Sequence, residues 1–218
     1  MSGKPGKTIG SGRMIVVDPT RGLSGDMLLA CLFALGAKPA EVAKEVGKLP
    51  GLEPFRIVFG RVKRHGIAAH RARVVCKADV KERDLESILR MIRRSKLDPR
   101  VKKLAAAAFD LLGEVEGAIH GVPAKNVHFH EVGAVDSIVD IVGAVVALSQ
   151  LGFPPLYHRP FRLGSGTVST SHGDLPVPAP ATLAILEGRT VRLTGDTGEI
   201  VTPTGAALIR TMAEEISS

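Results

Sequence analysis

Residues 14–17 are apolar and stop at Asp18-Pro19, the pattern of a short strand with a turn behind it. Asp18 thus emerges at a strand's carboxyl end, where open α/β sheets usually place ligands. Gly22-Leu23-Ser24-Gly25-Asp26 feeds a helix that Ser24 or Asp26 can cap and Gly36 closes, and Pro39 opens a second helix. Residues 56–63 and 71–78 alternate apolar with charged positions about His65-Gly66, which predicts a hairpin with one face in water. Residues 85–93 have helical spacing, and Asp98-Pro99 starts an alanine-rich helix reaching about His120-Gly121.

Residues 138–151 are apolar on most sides, a buried helix stopped by Gly152 and Pro154. The last third is loop-rich around Gly164-Ser165-Gly166, residues 172–180 and residues 195–203. Pro180 opens a helix there, and Thr202-Pro203-Thr204-Gly205 opens a final one predicted to run to Glu215. No internal repeat or linker divides the chain. The elements predict one α/β domain over residues 14–218, a mixed sheet with flanking helices, behind a flexible Gly-, Ser- and Lys-rich leader at 1–13.

Composition changes this picture little. A chain of 218 residues with 44% hydrophobic content has ample material for a core. Trp is absent and Tyr occurs once, which removes the stacking platforms of single-strand nucleic-acid binders. The net charge of +7 favours anionic ligands, but the basic residues are spread through 61–73 and 77–103 within helix and strand patterns. They read as solvated faces, and no nucleic-acid partner is expected. Cys31 and Cys76 sit far apart in apolar patterns, as buried free thiols of a reducing, cytoplasmic compartment. No run is long enough to span a membrane.

The chemistry concentrates at residues 128–140. His128, His130, Glu131, Asp136 and Asp140 put two imidazoles and three carboxylates just ahead of the apolar helix, a donor set suited to zinc, nickel, iron or manganese. The i, i+2 histidines share a face of an extended segment, and the i, i+4 aspartates share a helix face. A structural role competes for each: Asp136 stands where a helix N-cap belongs, Asp140 favours the positive end of the helix dipole, and His128 can be a hydrogen-bonded core residue. Elsewhere the signals are weaker. Gly164-Ser165-Gly166 lacks nucleotide-fingerprint spacing. His172 sits in a proline-stiffened loop, and Thr202 and Thr204 flank a helix start that is either an anion cradle or an ordinary cap.

Taken together these motifs resemble the nickel-insertion proteins of the LarC type. The run from Asp18 to Met27 resembles the family's Asp-Pro-Phe-Ser-Gly-Ile-Ser-Gly-Asp-Met, and Val127 to Gly143 resembles its most distinctive stretch almost letter for letter. Leu163 to Gly166, His172-Gly173 with Leu175 to Thr182, Gly198-Glu199, and Thr202 to Ala207 follow in order, so the resemblance covers roughly residues 14–212. It implies nickel insertion, a chelatase step of the lyase class, into a pyridinium bis-thiocarboxylate mononucleotide. The product would be the nickel-pincer cofactor used in lactate racemase maturation.

By position, the resemblance assigns metal handling to His128, His130 and Asp140, and catalysis to Glu131 and Asp136. Asp18, Arg21, Asp26, His172, Glu199, Thr202 and Thr204 would line the same cleft. CTP with a divalent metal would come through a separate chain that carries the family's C-terminal domain, with a homo-oligomer also open. Two departures stand out. Thr20-Arg21 replaces Phe-Ser, which puts a cation beside Asp18 and Asp26, and residues 77–84 lack the histidines many relatives carry there. A non-catalytic nickel-binding scaffold and a metal-dependent hydrolase are the alternatives.

Overall fold

The structure, a computed structural model, describes residues 12–76, 83–129, 132–170 and 173–216. His130, Glu131 and His172, most of the expected leader and residues 77–82 lie outside the described residues. Strand β1 (Ile15–Val17) leads through a 3-10 turn (Pro19–Arg21) into α1 (Gly25–Ala34) and α2 (Pro39–Val46). Next come β2 (Phe55–Arg64), β3 (Ile67–Cys76), β4 (Arg83–Asp84), α3 (Leu85–Arg94), α4 (Pro99–His120) and β5 (His128–Phe129). Helix α5 (Val135–Gln150) precedes β6 (Leu156–His158), β7 (Phe161–Thr170), β8 (Gly173–Val177), α6 (Pro180–Ile185), β9 (Val191–Thr197), α7 (Pro203–Met212) and β10 (Glu214–Glu215).

The class is α/β, as the patterning predicts, but the sheet is divided. Among the described residues the strands form four small sheets: parallel β1-β6-β10, the β2-β3 hairpin, the β4-β5 clip, and β8-β7-β9. Several strands are only two or three residues long, too short to join one continuous ladder. Helices supply the centre instead. Helix α5 buries eleven of its sixteen residues and packs against α1, α2, α4 and α7, because it is apolar on nearly every face.

Local chemistry explains the element ends. The Asp98 carboxylate accepts from the Arg100 N–H at 2.7 Å, Pro99 fills the first helical position of α4, and Gly121 closes that helix at φ +67°. Asp84 caps α3 by accepting from the Ser87 N–H at 2.6 Å. Thr202 caps α7, its hydroxyl accepting from the Gly205 N–H at 3.2 Å. The inner half of the β2-β3 hairpin is seated on the core through Phe59, which packs edge-on to Phe33, and through buried Ala72. Its outer half carries Arg61, Lys63 and Arg64 into solvent.

Three expectations are corrected. Asp136 is not the cap of α5: Ala134 holds the extended cap position and Val135 is buried, so Asp136 falls inside the first turn and accepts from the Ser137 N–H at 2.9 Å. Helix α7 stops at Met212 rather than Glu215, because Ala213 is extended and Glu214–Glu215 gain a parallel ladder with β6. Cys31 is exposed on α1 and Cys76 half-buried, so neither thiol is fully enclosed.

Candidate functional site

The first turns of α1, α5 and α7, with that of the short α6, open onto one cleft of about 470 Å³. Ser24 and Gly25 come from α1, Ser137 and Asp140 from α5, and Thr202 to Thr204 from the start of α7. Helix N-termini leave amide N–H groups without intrahelical partners and carry positive partial charge, so this wall suits anionic groups. The opposite side is mixed. His128 arrives on β5, Glu116 and His120 on the last turns of α4, and Val168 and Leu175 supply apolar surface from the β7-β8 ladder.

Burial of Asp140, reinforced by the nearby carboxylates of Asp26 and then Asp136, pushes its carboxyl pKa up to about 8. Its Oδ1 is buried and has no hydrogen-bond partner among the described residues. Asp26 is steadied by the Ser24 hydroxyl, which donates to its carboxylate. Three acidic groups therefore share a small volume, and the deepest keeps its proton at neutral pH.

The loop before α5 is held from beneath. Arg83, 6% exposed, donates through Nη1 to the Gly133 carbonyl at 2.9 Å and pairs through Nη2 with Glu53. Glu199 is steadied in a similar way: the Oγ1 of fully buried Thr182 lies 3.3 Å from its Oε1 and 3.4 Å from the Val201 carbonyl.

The cleft thus brings together His128, Asp140, Glu199, Thr202 and Thr204, with Asp26 and Asp136 acting on Asp140 through their charge. Asp18 is placed elsewhere. It lines a second cavity, of about 540 Å³, and its carboxylate accepts from Thr20 and lies 3.8 Å from Arg159 Nε. Arg21 is exposed and lines neither cavity. Among the described residues no three His, Cys, Asp or Glu side chains form a group able to hold a metal ion.

Sequence reasoning missed Glu116 and His120 on the cleft wall, and Thr182 against Glu199. Glu116 and His120 are an i, i+4 pair with Oε2 3.4 Å from Nε2, and that spacing was a readable signal. Thr182 carried no such signal, since its role depends on a neighbour seventeen residues away.

A family model described as "Nickel insertion protein" matches residues 15–218. A protein of Geobacter sp. (strain M21) named "Putative nickel insertion protein" is 46% identical over 194 residues, covering 88% of this chain and 50% of the relative. The "Pyridinium-3,5-bisthiocarboxylic acid mononucleotide nickel insertion protein" of Staphylococcus epidermidis (strain ATCC 12228 / FDA PCI 1200) is 40% identical over 198 residues, covering 91% and 50%. Its namesake in Akkermansia muciniphila is 39% identical over 214 residues, covering 94% and 53%. The chain spans about half the length of the curated relatives it matches. No solved structure matches.

Proposed function

The chain belongs to the nickel insertion protein family, and from that premise we propose that it holds nickel as cargo and delivers it to a pyridinium bis-thiocarboxylate mononucleotide, the substrate named for two relatives. The observation that carries the reading is Asp140: a carboxyl with a pKa pushed up to about 8 between two other carboxylates, at the head of a cleft shared with His128. Such a site exchanges a proton for a cation. Divalent nickel arriving there would neutralise the acidic trio and complete the hydrogen-bonding deficit of Asp140.

In this reading His128, His130 and Asp140 present nitrogen and oxygen ligands, which release nickel readily to the softer sulfurs of the substrate. The mononucleotide phosphate is an anion suited to the amides at the starts of α1 and α7, with Thr202 and Thr204 beside it. Forming a metal–carbon bond expels a proton from the pyridinium ring, and Glu131 or Asp136 serves as its acceptor. Asp26 and Glu199 hold the electrostatic and hydrogen-bonding frame, and His172 is assigned to substrate binding with them. The reaction is then a chelatase step of the lyase class in nickel-pincer cofactor synthesis, supplying lactate racemase maturation in the cytoplasm. CTP with its divalent metal would be handled by the portion of the relatives' length that this chain does not span.

A second reading is a nickel-binding scaffold without turnover of its own. Two measurements test these readings. Calorimetry with nickel on the chain beside His128→Ala and Asp140→Asn is expected to show binding in the parent and loss in both variants, and retention in both would sink the site. Turnover of the mononucleotide with nickel and CTP, by the chain alone and with the remaining portion of a full-length relative supplied, separates catalyst from scaffold.

A further inference from the structure

The three strands of the parallel sheet end on one side, at the second cavity. Asp18 and Thr20 follow β1, Arg159 and Pro160 follow β6, and Ile216 follows β10; all of them line it. The crevice outside the carboxyl ends of a parallel sheet is the usual place for a ligand in open α/β architecture. Arg162 of β7 and Arg192 of β9 complete the wall. From these placements we infer that this crevice seats the phosphate of a small phosphorylated molecule, gripped by Arg159, Arg162 and Arg192.

The arginines are placed against their own interest unless an anion joins them. Arg162 and Arg192 are register partners on adjacent parallel strands, so they project from the same face, side by side. Like charges directly opposite on a sheet destabilise it. Among the described residues neither forms an ion pair. Among the described residues Arg159 has only its exposed 3.8 Å ion pairing with Asp18, of little worth in water. Three guanidinium groups thus face one carboxylate. Guanidinium forks match phosphate oxygens two at a time, which a lysine cluster would not do.

The cavity also favours a small molecule over a polymer. It is a concavity of about 540 Å³, and Pro160, Leu193 and Ile216 give it apolar surface for the body of a ligand. No residue of this crevice lines the nickel cleft, so the inference stands independently of the nickel reading.

The test is calorimetry on the whole chain in nickel-free buffer at near-physiological salt, with ribose 5-phosphate and inorganic phosphate as probes. The variants are Arg162→Gln/Arg192→Gln, a charge-matched Arg71→Gln/Arg73→Gln pair on the hairpin, and His128→Ala in the cleft. Circular dichroism verifies that each is folded. The sugar phosphate is expected to bind the parent more tightly than free phosphate. Binding should weaken at least about tenfold in the crevice pair and stay unchanged in the other two. No binding by the parent, equal loss in both arginine pairs, or free phosphate binding as tightly as the ester would each overturn the inference. So would a short single-stranded oligonucleotide that outcompetes the sugar phosphate for the same arginines.

Discussion

A β-carbon placed on Gly25 would stand 2.8 Å from the Cβ of Asp140 and 3.1 Å from the Thr204 methyl, so three helix starts meet around one missing side chain. Atoms do not approach that closely, and here the neighbours are stiff near-backbone groups. Gly25→Ala is therefore expected to force α1 away from α5 and α7, costing about 1–3 kcal/mol, the usual range for overpacking. Urea denaturation reads the cost, and nickel calorimetry reads the displacement of Asp140. An alanine variant with parent stability and parent binding would show that the cleft yields more easily than its geometry says.

Asp140 ionises near 3.8 in an unfolded chain and near 8 in the fold. Between those values the native protein keeps a proton that the unfolded chain has lost. Stability from this group is thus full below about pH 4 and drains as pH rises towards 8, by up to about 1.4 kcal/mol per pH unit. Asp140→Asn is expected to flatten that slope and to be the more stable protein at pH 8. Denaturation midpoints of both proteins at several pH values check this, and parallel curves would remove Asp140 as the cause.

If nickel takes the place of that proton, its binding at pH 7 releases protons. Repeating the calorimetry in buffers of different ionisation enthalpy is expected to give apparent heats that change with buffer in the parent. An enthalpy independent of buffer would mean the cation does not displace a proton at Asp140.

Arg83 reaches from β4 to Glu53 and to the Gly133 carbonyl beneath the loop that precedes α5. Truncating it takes the guanidinium away from a part-buried carboxylate and a buried carbonyl together. Arg83→Met is expected to cost about 3–5 kcal/mol, the scale for breaking a buried ion pair from one side. Loss of nickel binding at temperatures where the variant is still folded would show that the clamp also sets the loop.

Thr202→Ala removes the hydroxyl that accepts the Gly205 N–H at the start of α7, and about 1 kcal/mol of stability should go with it. Thr202→Ser keeps the acceptor and is expected to behave as the parent. Thermal unfolding of the three proteins decides the point.

Much of the fold was readable because its signals are local. Asp98-Pro99 with Gly121, His65-Gly66 between alternating runs, and the unbroken apolarity of 138–151 each set an element by short-range chemistry. Glu214–Glu215 was not readable as a strand, since two glutamates pair there only because β6 offers its open edge. The site divides in the same manner. His128, Asp136 and Asp140 announce themselves as one cluster in the sequence. Asp18 lies eight residues before Asp26 in one motif, yet with a 3-10 turn between them it lines the second cavity while Asp26 stays near enough to Asp140 to act on its carboxyl, and spacing alone cannot show that.

The β2-β3 ladder runs from a rung seated on the core to one standing in water. Its outer rungs, from Arg61↔His70 to Arg64↔Ile67, extend beyond the inner ones that meet the core. Backbone amides near the tip can therefore trade hydrogen for deuterium by fraying, while those flanking Ala72 must wait for a much larger opening. One hairpin becomes a graded clock of solvent access, slow at its root and fast at its crown.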